Sequence, residues 1–147
     1  MKNIWTIVCK NSIIDGETNS LSLLETLDEI RINYKDENAL KKEGIKVLPL
    51  VFNIVSLWFD KNTEKERKFN LVTEIIDPNN KVLKEFPQEC IIPVGKKRLR
   101  ATNKINGFGF TSQGEYLMIT KYQEKKGEKY TIVSETPIDV SFNKIKE

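Results

Sequence analysis

Residues 50–60, LVFNIVSLWFD, constrain the fold more than any other stretch of the chain. Val51, Asn53, Val55, Leu57 and Phe59 alternate with Phe52, Ile54, Ser56 and Trp58. Side chains of an extended strand point alternately to opposite faces, so both faces here are largely apolar. Val, Ile, Phe and Trp suit a pleated, packed surface. The pattern predicts a central strand covered on both sides, or one crossing the edge of a sandwich.

The rest of the chain repeats this style in shorter pieces. Residues 3–10 (NIWTIVCK) are strand-like, and residues 69–76 (FNLVTEII) place Phe69, Leu71, Thr73 and Ile75 on one face. Asp77, Pro78, Asn79 and Asn80 are turn formers, so residues 81–86 are expected to return as the second arm of a hairpin. Residues 89–94, 97–101 and 105–110 read as short strands. Residues 115–123 (EYLMITKYQ) form a clear strand with Tyr116, Met118, Thr120 and Tyr122 on one face. Residues 128–135 run back, Pro137 is expected to break that return, and Ile138, Val140 and Phe142 alternate in a closing strand. Residues 35–44 (KDENALKKEG) predict a short surface helix or a mobile connection. Turn signals at this spacing indicate an all-β antiparallel sandwich of about eight strands with at most one short helix, in a single domain over 1–147.

Residues 13–30 (IIDGETNSLSLLETLDEI) set Asp15, Glu17 and Asn19 at alternate positions ahead of an apolar run. A calcium loop starting at Asp15 needs Gly at its sixth position and Glu at its twelfth. Ser20 and Thr26 stand there instead. Asp, Gly, Thr, Asn and Ser are turn formers, and the better account is a hairpin turn. Residues 24–30 fit a strand or bulged strand better than a helix.

This region carries a resemblance. A first strand ending in Cys9, a DxxTN turn at 15–19 and the run LSLLETLDEI look like the start of an uncharacterised family of small bacterial β-sandwich proteins. Leu48-Pro49-Leu50, Gly114-Glu115-Tyr116 and Pro137-Ile138-Asp139-Val140 fit the family's later pattern. The resemblance implies a sandwich over nearly the whole chain. It supplies no catalytic residue.

Composition narrows the chemistry. The chain has no histidine, which removes the commonest general base and the commonest zinc ligand. Cys9 and Cys90 are its two cysteines, too few for a closed thiolate zinc site. Both lie in apolar segments and are expected to be buried free thiols. The apolar run at the N-terminus ends at Lys10, too short for a secretory core, and no stretch approaches the length of a membrane helix. A cytoplasmic, reducing setting is the expectation, with no membrane partner and no cofactor or metal. The net charge of +3 is too small to imply nucleic acid by itself.

Two groups of residues are candidates for binding. Lys96, Lys97, Arg98, Arg100 and Lys104 form the densest basic run, a possible anion or nucleic-acid surface. The structural alternative is an edge strand whose charges discourage pairing with another chain. Tyr116 and Tyr122 share a strand face and are candidate exposed aromatics, while Trp5 and Trp58 are expected in the core. GxG at 107–109 lacks the third glycine and following helix of a dinucleotide loop. The expected function is a non-enzymatic binding or assembly module with a protein partner, another copy or a different chain. The alternative is a nucleic-acid or anion binder using residues 96–104.

Overall fold

The computed structural model describes residues 1–146. Nine strands follow in chain order: β1 (Lys2–Ile14), β2 (Leu21–Thr26), β3 (Glu29–Tyr34), β4 (Lys46–Phe59), β5 (Arg67–Ile76), β6 (Val82–Ile92), β7 (Arg98–Phe110), β8 (Gly114–Gln123) and β9 (Thr131–Lys144). They form two packed sheets, ordered β2-β1-β4-β7 and β3-β9-β8-β5-β6. This is the expected β-sandwich, with one strand more than the turn signals suggested. All pairs are antiparallel except β3 with β9, which is parallel. Residues 35–44 hold one short 3-10 turn, Glu37–Ala39, started by the Asp36 carboxylate accepting from the Asn38 N–H.

Several breaks expected from the sequence are absent because strands run through them. The two short segments at 97–101 and 105–110 are one strand, β7. Pro137 lies within β9, opposite Leu117 of β8, and β3 joins β9 only from Asp139 onward. The missing N–H of Pro137 therefore faces a side with no strand to pair. Between β2 and β3 the chain crosses from one sheet to the other. Glu25 takes a left-handed φ of 56° just before the crossing, and Leu27 drops into the core.

The interior has two apolar clusters. Phe52, Ile54, Phe108, Tyr116, Met118 and Ile138 belong to the larger one. Trp58, Phe69, Leu71, Cys90, Ile92 and Ala101 make the smaller. Between them runs a polar belt given by the same alternation. Along β4, Ser56 separates Ile54 from Trp58; along β5, Thr73 separates Leu71 from Ile75; along β8, Thr120 separates Met118 from Tyr122. Thr73 and Thr120 share a hydroxyl hydrogen bond of 3.0 Å, and Trp58 donates its indole N–H to the Ser56 hydroxyl at 2.8 Å. A buried hydroxyl without a partner is costly, and each hydroxyl of the belt has one in these two bonds.

Tyr116 and Tyr122 are not an exposed pair. Their face of β8 looks into the sandwich. Tyr116 is fully buried, and its hydroxyl accepts the N–H groups of Thr111 (3.0 Å) and Ser112 (3.1 Å) and donates to the Ser112 carbonyl. This is a tyrosine-corner arrangement that pins the β7–β8 turn. Tyr122 is half-buried, its ring stacked on Trp58 with centroids 5.2 Å apart. Burial, with Glu124, Asp60 and Glu128 adding to it, pushes its phenol up to about 12. Cys9 and Cys90 are buried free thiols as expected, and burial pushes Cys90 up to about 11.

The turn between β5 and β6 is locked to the same corner. Asp77 is buried, and its carboxylate accepts the N–H groups of Asn79 and Lys81 and the Thr111 hydroxyl, each at 2.9 Å. Burial pulls its pKa up, but these hydrogen bonds and the Lys81 charge outweigh burial and hold it below the ordinary value.

Two predictions follow from these polar contacts. Thr73→Val or Thr120→Val alone leaves one hydroxyl orphaned and costs about 1 kcal/mol in urea unfolding, while the double variant recovers most of that loss. Additive losses in the cycle would show that the hydroxyls do not depend on each other. Asp77→Asn lowers the thermal midpoint at neutral pH. The depressed folded pKa makes the native contribution full above the ordinary aspartate value near about 4 and lost as pH falls through the folded one. The deficit of the variant therefore shrinks on acidification, and a pH-independent deficit would assign the effect to packing.

Candidate functional site

The functional candidate lies on the outer face of the four-stranded sheet. Val8 of β1 and Ile54 of β4 pair and face the core, so their neighbours Cys9 and Asn53 face outward. The same parity sends Trp5, Leu57 and Phe59 to the outer face, and from β7 it sends Arg98, Arg100, Thr102 and Lys104. A β-bulge at Ile4 resets β1 so that Trp5 stands opposite Leu57.

The hairpin of β1 and β2 covers part of this face. Beyond Cys9, β1 parts from β4 and continues with β2 alone. Asn53 donates its Nδ2–H to the Lys10 carbonyl at 3.2 Å where the chain departs. That crossing buries Asn53, Cys9 and Val55, although all three face away from the core. At the far end, Arg100 Nη1 donates to the Asn19 carbonyl at 2.7 Å. The hairpin thus folds back over its own sheet and is latched to the edge strand β7.

The tip is built as the sequence implies. The Asp15 carboxylate accepts the N–H groups of Glu17 (2.9 Å) and Thr18 (2.8 Å), and Asn19 takes a φ of 57°. These bonds to Thr18 and Glu17 hold the Asp15 carboxyl below its ordinary value. The acidic stretch that resembled a calcium loop uses its leading carboxylate on its own turn.

Between hairpin and sheet lies an open groove of about 1560 Å³. Its floor is Trp5, Leu57 and Phe59, half-buried, with the exposed Ile4 at the margin. Its hairpin wall is Ile14, Leu21 and Leu23 with the small polar pair Asn19 and Ser20. Its opposite wall is Arg98 and Arg100, with Lys2 and Lys61 at the end of the sheet. The acid in this lining, Asp60, pairs with Arg67 Nε at 3.4 Å. Arg98 rests over the Phe59 ring, 6.0 Å from its centroid, a cation–π contact that holds the guanidinium plane.

The basic run of the sequence is divided by the fold. Lys96 and Lys97 belong to the β6–β7 loop and their carbonyls serve structure, accepting from Arg67 Nη2 and from the Asp60 N–H. Arg98 and Arg100 enter the groove. Lys104 lies further along β7, opposite Asn53 and outside the groove lining. β7 is the edge of its sheet, so the charges also stand where edge protection is useful. Trp5, expected in the core, lies on the outer face instead, and with it the groove that the sequence does not reveal. The available signal was that Trp5 and Trp58 follow opposite strand parities once β1 and β4 are paired.

Arg100→Ala removes the latch. Amide hydrogen exchange of the hairpin tip should accelerate about fivefold, the worth of one exposed hydrogen bond of about 1 kcal/mol, with β5 and β8 unchanged. Unchanged exchange at residues 15–20 would show that the hairpin is held by other contacts.

No protein-family model and no curated protein matches the chain. Among solved structures, a β-glucuronidase from glycoside hydrolase family 2 is similar over 78% of this chain at 17% identity, with a TM-score of 0.44. The chain corresponds to 13% of that protein's length.

Proposed function

We propose that the protein is a non-enzymatic binding module that holds a segment of a partner protein in the groove between the β1–β2 hairpin and its sheet. The groove itself carries this reading. It combines an apolar floor, a cationic wall and a wall formed by the hairpin, on a scaffold of paired strands. Ligand sites are concave, mostly apolar and set with a few oriented polar groups. Two buried free thiols support a reducing, cytoplasmic setting. Among the described residues, no helix is long and apolar enough to cross a membrane.

The division of the basic run weighs against the nucleic-acid alternative. A phosphodiester strand needs cations tracking its backbone and aromatic planes for its bases. The groove's hairpin wall is Ile14, Leu21 and Leu23 with Asn19 and Ser20, a face of Phe59 carries Arg98, and Trp5 is the aromatic plane left on the floor for successive bases.

Leu57→Glu places a carboxylate on the apolar floor without touching the core clusters. Partner protein retained from native extract by the immobilised wild type should fall about tenfold with this variant, since truncating or charging a central contact removes most of the binding. Equal retention would place the contact elsewhere on the surface. Reproducible turnover in hydrolase and transferase screens would overturn the non-enzymatic reading.

A further inference from the structure

The groove has two walls of opposite chemistry and equal spacing. On the sheet side, Arg98 and Arg100 are two residues apart on β7 and point the same way. On the hairpin side, Leu21 and Leu23 are two residues apart on β2. Alternate residues of a strand are about 7 Å apart on one face. An extended peptide lying along the groove repeats that distance on each of its own faces. We infer that the occupant is an extended segment with alternating acidic and apolar residues. Its carboxylates meet Arg98 and Arg100, and its apolar side chains meet Leu21, Leu23 and the floor at Leu57.

Charge complementarity supports this occupant. The lining holds Lys2, Lys61, Arg98 and Arg100, whereas its acid, Asp60, already pairs with Arg67. Guanidinium groups receive carboxylates in planar, bidentate fashion. Arg98 lies over the Phe59 ring and is exposed. Arg100 spends Nη1 on the Asn19 carbonyl, and a guanidinium has further donors for a carboxylate. The same Arg100 therefore holds the hairpin tip and meets the ligand at once.

This inference rests on the groove being the binding site, and the experiment separates the two. Trp5 lines the groove and Trp58 is buried in the core, and these are the chain's two tryptophans. Protein labelled with fluorotryptophan gives a groove signal and an internal reference in one fluorine NMR spectrum. The probes are a peptide of alternating Asp and Leu, its Lys–Leu and Ser–Leu counterparts, and oligothymidylate. The expected result is a shift of the Trp5 signal with Asp–Leu at concentrations up to about 1 mM. That affinity falls about tenfold with Arg98→Glu or Arg100→Glu, and Lys–Leu leaves the signal in place. Equal shifts with Lys–Leu or Ser–Leu overturn the acidic occupant and leave the groove as the site. A shift with oligothymidylate and none with Asp–Leu replaces the peptide by nucleic acid. No shift with any probe overturns both the occupant and the groove. Arg98→Lys keeps the charge and loses the planar fork, so a loss intermediate between wild type and Arg98→Glu is expected.

Discussion

The hydrogen bond from Asn53 to the Lys10 carbonyl marks the point on which the distinctive part of this sandwich depends. β4 must be covered on both faces over its middle, because Phe52, Ile54 and Ser56 look inward while Asn53 and Val55 look outward and are equally buried. The inward face is covered by the second sheet. Among the described residues no third sheet lies on the outward face, and the chain's own first hairpin covers it. Asn53 is the polar residue that makes this possible, since it satisfies a carbonyl of β1 as that strand leaves the ladder. Its effect reaches the groove. A hairpin that departs at Lys10 and returns at Asn19 to Arg100 encloses space over the remainder of the face.

Inside the sandwich, strand parity produces a second pattern. The polar belt of Ser56, Thr73 and Thr120 divides the interior; the two threonines bond each other and Ser56 accepts from Trp58 of the smaller cluster. The larger cluster is tied down through the Tyr116 hydroxyl and the Asp77 carboxylate, which meet at Thr111. Two turns are thereby fixed to one corner of the core. Trp58 and Tyr122 stack in the other cluster. The scaffold is thus anchored at both ends, and the hairpin on the outer face is tied to its sheet through Asn53 and Arg100. Loops and terminal elements with few anchors are where a rigid scaffold can place binding.

Much of this was legible in the sequence, and the misses share a cause. Alternation identified the long strand at 50–60, and turn-forming residues identified the 77–80 and 15–20 turns, because both signals depend on residues close in the chain. It assigned Tyr116 and Tyr122 to one face correctly, but not to the inner face, since both faces of β8 carry apolar residues and periodicity does not say which one meets the other sheet. The same gap put Trp5 in the core. Pro137 was expected to end a strand, yet its position next to an unpaired side lets β9 continue. The basic run at 96–104 was visible as a run, but its division among loop, groove and open face follows from strand parity and from where β7 begins.

Local chemistry in the sequence by itself determined that this chain is an all-β sandwich, where its tight turns fall and which residues are extended. Backbone propensity and two-residue periodicity act over neighbouring residues and need no knowledge of partners. Tertiary structure alone decided the strand order, the parallel β3–β9 pair, the folding of the first hairpin over its own sheet, and the meeting of Trp5, Phe59, Arg98 and Arg100 in one groove. Those outcomes depend on register between segments far apart in the chain, and a shift of one residue would have sent every one of these side chains to the other face.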